Sequence, residues 1–153
     1  MTYSIDDIDR KILYILIKDA RTPFLGIARE VGVSGAAIHQ RVNKLQQKGV
    51  IRGSRLLVAP STLGFNVCAF VSIVVTESDK LKEVISALKG IPEVVECHFV
   101  TGKYSLLVKL YCRDNNHLME VLVGSIQNIP SIQSTETMIS LDEAFERQVW
   151  VKE

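Results

Sequence analysis

The side chains most able to do chemistry lie in three stretches. Residues 33–51, VSGAAIHQRVNKLQQKGVI, combine small residues, neutral amides and flanking charge. Gln and Asn can make paired hydrogen bonds with an adenine edge, and Lys and Arg reach phosphates. Residues 101–105, TGKYS, form a glycine turn with open N–H groups. Residues 133–137, QSTET, put an amide and hydroxyls along a strand-like run. Turn amides suit a carboxylate, side-chain oxygens an ammonium, and Gln133 a side-chain amide. Thr101, Gly102, Lys103, Tyr104, Ser105, Gln133, Ser134, Thr135 and Thr137 can thus hold a free amino acid. They equally make a plain hairpin turn and edge strand, since Thr is a good strand former. Nothing is spaced for catalysis: there is no triad, no glycine-rich phosphate loop and no carboxylate pair. Cys97 and His98 are adjacent on a strand and point to opposite faces. His39, His98 and His117 have no second ligand nearby in sequence. No enzyme, metal or cofactor is expected.

The elements that must position these residues follow from periodicity. Ile8, Ile12, Ile15 and Leu16 repeat as one helical stripe over residues 6–19. Thr22 can cap, and Pro23 can start, a short helix over residues 24–31. After a tight turn, Ser34 caps a third helix that closes at Gly49, with Ile38, Val42 and Leu45 inward. At about 100° per residue, Ala36, Gln40, Asn43 and Gln47 lie on its opposite face, with His39 and Lys44 beside them. Residues 50–59, VIRGSRLLVA, read as two short strands around Gly53-Ser54. Three helices and a hairpin are the winged helix-turn-helix order. Its third helix supplies the candidate DNA residues Ser34, Gly35, Ala36, His39, Gln40, Arg41, Asn43, Lys44 and Lys48. Arg41, Lys44 and Lys48 are expected at phosphates. Ala, Gln and Asn are also ordinary solvated helix residues. His39 alone is more often a surface or cap residue.

Residues 60–65 form the linker candidate. Beyond them the period changes. Strands over NVCAFVSIVVT, EVVECHFVT, YSLLVKLYC and SIQSTETMISL alternate with helices over residues 78–89 and 115–126. The order is βαββαβ, the ferredoxin-like pattern. An internal echo supports a split βαβ duplication: LKGIPEVVECH and IQNIPSIQSTE each run from a helix end through Ile-Pro into a strand. The tail RQVWV could add a short strand. The fold class is therefore α+β, with modules at 1–59 and 66–153. Val67, Ala69, Val71, Ile73, Val75, Leu106, Val108 and Leu110 can face the helices. Phe70, Val74, Val100, Leu107 and Tyr111 remain on the other face, which implies a homodimer packed sheet to sheet. A twofold protein matches a palindromic operator. Glu136 and Lys109 could pair structurally.

Bulk composition agrees. The 153 residues are 47% hydrophobic and 23% charged, enough for folded domains with real cores. The net charge of +1 hides an asymmetry. Residues 1–60 hold ten Lys/Arg against five Asp/Glu; residues 61–153 hold eight against twelve. A basic first module suits a polyanion. No apolar run is long enough to span a bilayer, and MTYSIDDIDRK does not suit a secretory signal, so a cytoplasmic protein without membrane attachment is expected. Three cysteines without a C-x-x-C pair are expected as reduced, buried thiols.

DRKIL, ARTPFLGIAREVGVS, RVNKLQQKGVI and LGF resemble the N-terminal half of the Lrp/AsnC (feast/famine) transcription regulators. VTGKYSLLVKLYCRD and IPSIQSTETMISL resemble that family's C-terminal module, and GKYS and QSTET are similar to the AsnC branch. The resemblance covers essentially the whole chain. It implies a RAM/ACT-like second domain and dimers that assemble to octamers. It also implies a small amino-acid effector between dimers, asparagine first, which modulates binding to double-stranded DNA. Two residues depart from the family pattern: Gly35 stands where many members have proline, and Ser105 where many have aspartate. A glycine at Gly35 implies either a softer helix start or a backbone that can come closer to DNA. The rival class is a small-molecule-binding regulatory subunit whose basic half grips a protein.

Overall fold

The computed structural model describes residues 4–151; the first three and last two residues of the expected modules lie outside it. The chain divides into two compact units, residues 58–144 and the remainder on either side.

The first unit holds α1 (Asp7–Lys18), α2 (Phe24–Val31) and α3 (Gly35–Gln47). α1 starts with a reciprocal capping box. Asp6 accepts from the Asp9 N–H at 2.8 Å, and the Asp6 N–H points back to Asp9 at 3.4 Å. Ile12, Ile27, Ala28, Ile38 and Val42 form the core, with Ile8, Ile15, Leu16 and Phe24 packed on it. Pro23 itself occupies the N-cap of α2, so Thr22 does not cap; its hydroxyl donates to the Asp19 carbonyl at 2.8 Å. Gly32 ends α2 at φ 80°, which turns the chain toward α3 at little steric cost. α3 begins as its sequence predicts, with Ser34 Oγ accepting from the Ala37 N–H at 3.1 Å.

The hairpin expected at residues 50–59 is absent. Among the described residues no strand precedes Val67, and residues 52–59 run without ladder bonds. Gly53, at φ 149°, also lies away from the φ of about +60° that the tight two-residue hairpin turns use. Residues 147–151, expected as a possible added strand, form none. Instead Glu146 accepts from Arg55 at 3.1 Å, and residues 145–151 group with the first unit.

The second unit contains β1 (Val67–Val75), α4 (Leu81–Lys89), β2 (Val94–Phe99), β3 (Leu106–Cys112), α5 (Asn115–Glu120) and β4 (Ile132–Ser140). Before β1, residues Pro60–Leu63 make a 3₁₀ turn. The sheet order is β2-β3-β1-β4, with every pair antiparallel, as the βαββαβ pattern requires. Ala69, Val71, Ile73, Leu106, Val108 and Leu110 are buried with Val84, Leu88, Leu118, Val121 and Ile126 of the helices. α5 continues through a π-helical turn, Val121–Ile126. Leu118, Val121 and Ile126 are buried and Leu122 half-buried, so the wider turn keeps the inward face that helical spacing gives.

Phe70, Val74, Leu107 and Tyr111 sit half-buried on the other face of the sheet. Lys109 lies among them with only 13% of its side chain exposed. It pairs with Glu143 at 3.2 Å, not with Glu136. Burial works against its ammonium, but Tyr111 and Glu143 outweigh that and hold its pKa above the ordinary lysine value. The cysteines differ from expectation: Cys112 is buried and Cys68 half-buried, but Cys97 is exposed because β2 is an edge strand. Burial, with Glu93 nearby, pushes the Cys112 thiol up to about 11.

Candidate DNA-reading face and effector region

α3 presents one exposed row. Ala36, Gln40, Asn43 and Gln47 are exposed, and Ile38, Val42 and Leu45 are buried directly opposite. Small residues at its start allow close approach, and the amides follow one helical turn apart. Lys44 and Lys48 are exposed beside the row, and Ser34 and its neighbouring N–H groups stand at the helix N-terminus. That end favours an anion.

Two candidates have other work. The His39 ring packs edge-on against Phe24, with centroids 4.5 Å apart, so it ties α3 to α2. Arg41, expected at phosphate, donates from Nη1 to Asp6 at 2.7 Å and to Asp9 at 2.8 Å. Those two hydrogen bonds hold its pKa above the ordinary arginine value. The capping bond from the Asp9 N–H, with Arg41, holds the Asp6 carboxyl below the ordinary aspartate range. Asp6 and Asp9 are partners of a reading-helix residue that base-contact reasoning passes over. Their spacing of three at a helix start signals the cap, but nothing local announces a partner on α3. A Cβ at Gly35 would lie 3.0 Å from Leu25 Cδ2, the end of an exposed, flexible side chain that can turn aside, so the contact does not by itself demand glycine.

In the second unit, Thr101, Gly102 and Lys103 form an exposed turn between β2 and β3. Gly102 has φ 111°, a conformation that a side chain would strain. Ser105 anchors the turn: its N–H donates to Ile73 at 2.8 Å, and its hydroxyl accepts from the Val75 N–H at 3.2 Å. An aspartate there would lack the hydroxyl but could still accept, so the departure from the family pattern keeps the local bond.

Strand alternation divides the β4 candidates. Ser134 and Glu136 pair with Val74 and Ser72 on one face; Thr135 and Thr137 pair with buried Ile73 and Val71 on the other. Thr135 accepts from Gln127 Nε2 at 3.0 Å. Gln133 sits at the register shift between Val74 and Val75, where one extra residue re-aims the strand. Glu136, outside the sequence-based set, is the residue that meets the turn: Tyr104 donates its hydroxyl to the Glu136 carboxylate. Its alternation with Ser134 was the available signal. Tyr104 and Glu136 thus share one side of the sheet, and Thr135 and Thr137 lie on the other.

Comparisons with known proteins agree with this architecture. Residues 5–46 match the AsnC-type helix-turn-helix domain, and residues 68–150 match the Lrp/AsnC ligand binding domain. The regulatory protein AsnC of Haemophilus influenzae is 40% identical over 147 residues, covering 96% of this chain and 98% of that protein. The structure of Escherichia coli AsnC superposes with a TM-score of 0.90 at 39% identity, covering 96% of this chain and 99% of that one. A feast or famine regulatory protein from M. tuberculosis, complexed with L-methionine, gives 0.90 at 26% identity over 97% and 100% of the two chains. The chain belongs to the Lrp/AsnC family and is a DNA-binding transcriptional regulator, not an enzyme.

Proposed function

We propose that this regulator reads a palindromic double-stranded operator with α3 and adjusts that binding to a small amino acid held near residues 101–105 and 133–137. The carrying observation is the exposed, uncharged row Ala36, Gln40, Asn43 and Gln47 opposite a buried stripe. An amide row needs no counter-charge and suits base edges, while Lys44 and Lys48 beside it suit phosphates. Residues 1–59 supply the DNA contacts, 60–65 the linker, and 66–153 the effector site and assembly surface.

The half-buried apolar side chains on the uncovered sheet face support a dimer packed sheet to sheet. Dimers assemble further, to an octamer, in the cytoplasm. Asparagine is the first candidate effector, from the AsnC-type relatives, and methionine the second, because the M. tuberculosis relative was solved with it. Glu136 suits the effector ammonium and the turn N–H groups its carboxylate. The effector acts by population shift: it binds one dimer–dimer arrangement better than another and so changes the spacing of the reading helices.

The test has two arms. A random duplex library is selected with the full chain; recovery of a twofold consensus supports the reading, and no enrichment overturns it. A thermal-shift screen of the twenty amino acids follows, since a bound ligand raises stability by mass action. Asparagine or methionine should raise Tm and shift operator affinity, and Gly102→Val should lose both responses but keep basal DNA binding. No shift with any amino acid would remove the effector half of the proposal.

A further inference from the structure

Arg41 joins α3 to the start of α1 through ion pairs with Asp6 and Asp9. It stands on α3, one residue beyond Gln40, and reaches the N-terminus of α1. There the carboxylates of Asp6 and Asp9 serve both the cap of α1 and Arg41. Asp6 gives Oδ1 to the Asp9 N–H and Oδ2 to Arg41; Asp9 gives Oδ2 to the Asp6 N–H and Oδ1 to Arg41. The capping box that starts α1 is therefore also the socket that receives α3. Asp9 is 1% exposed, so its charge has little access to water, and Arg41 neutralises it in place.

The position of Arg41 on the helix gives this socket its consequence. At about 100° per residue, Arg41 lies on one flank of the exposed row and His39 on the other. His39 is held by Phe24 of α2, and Arg41 by the start of α1. Rotation of α3 about its own axis must break one of these contacts. Such a rotation would carry Gln40 and Asn43 off register with the bases while leaving the lysines within reach of phosphate.

We infer that Arg41 is a positioning residue for sequence-specific DNA reading: docked in the Asp6–Asp9 capping box, it fixes the rotation of α3 and does not itself bind phosphate. This rests on α3 being the reading helix. The rival role, a phosphate contact, makes opposite predictions.

The experiment uses the full chain, a duplex selected by the wild-type protein from a random pool, and a random-sequence duplex of equal length. Affinities are measured across a salt series for wild type, Arg41→Gln, Arg41→Lys and the double variant Asp6→Asn/Asp9→Asn. Arg41→Gln should lose at least tenfold in affinity for the selected duplex, with an unchanged salt slope and unchanged random-duplex binding. Arg41→Lys should recover part of that loss, since one ammonium can still meet a carboxylate. The double Asn variant should also lose selective binding, although it frees the guanidinium. The inference is overturned if the Arg41→Gln slope falls by about 0.9 for each Arg41 removed, or if the double Asn variant binds both duplexes more tightly. Should either variant fail to fold by circular dichroism, Asp6→Asn decides, because the Asp6 side chain is 53% exposed. Reduced discrimination in it supports the socket; tighter binding to both duplexes overturns it. Failure of the wild type to select any duplex would instead defeat the reading of α3.

Discussion

At the level of single side chains, the reading face is defined as much by its borders as by its amides. His39 and Arg41 close the two flanks of α3, and Ala36, Gln40, Asn43 and Gln47 fill the space between. Replacing Gln40 and Asn43 with Ala should weaken operator binding by about 1–3 kcal/mol for each lost bidentate contact and leave the oligomer intact. Competition binding against a random duplex checks this, and unchanged affinity would end the base-contact reading. Asp6 gives a second, pH-dependent expectation. Its carboxyl is held low first by the Asp9 N–H and then by Arg41, so the charged form is favoured in the folded chain. A depressed carboxylate stabilises above its unfolded pKa of about 3.9 and loses that contribution as pH falls through the lowered folded value. The stability gap between wild type and Asp6→Asn should be full at neutral pH and shrink as pH falls below the unfolded value of about 3.9. Urea titrations at several pH values measure it; a gap that widens in acid would contradict the assignment.

At the level of elements, the helices were legible because each carries its own start, stripe and stop. α3 is the clearest: Ser34 caps it, Ile38, Val42 and Leu45 form its buried stripe, and its bounds follow. β3 was the most legible strand, because its residues alternate between buried and half-buried along its whole length, whereas β2 and β4, largely exposed, were legible by their β-branched content. The expected wing was not, and the reason is general. A strand is completed by a partner, and β-branched residues at 50–59 record only a preference for extended backbone. The π turn escaped for a related reason, since a local widening keeps the same residue types and the same inward face. The candidate effector set was legible as a region but not as a geometry. The division of Ser134 and Glu136 from Thr135 and Thr137 depends on register, and the bulge at Gln133 is invisible in composition. The turn between α2 and α3 carries its own prediction. Gly32 at φ 80° is left-handed, so Gly32→Ala should cost about 1–2 kcal/mol of stability with the capping bond of Ser34 retained. Chemical denaturation reads the loss.

At the level of the whole molecule, two kinds of apolar surface await cover. One is the uncovered sheet face with Phe70, Leu107 and Tyr111, crossed by the Lys109–Glu143 pair. The other is the tail, where Phe145, Val149 and Trp150 are exposed. Exposed and half-buried apolar side chains grouped in this way suit the proposed assembly. The tail also supplies a natural optical label. Trp150 is the single tryptophan of the chain and is 79% exposed. In a lone chain its indole emits as a water-bathed fluorophore. If assembly encloses the tail, emission moves to shorter wavelength, and diluting the protein should drive it back toward red across the dissociation range. The same signal, followed while asparagine or methionine is added, would show which one shifts the population of assembled species. A spectrum that stays at the solvent-exposed position at every concentration would place the assembly surface elsewhere, so one indole lets the unmodified chain report its own association.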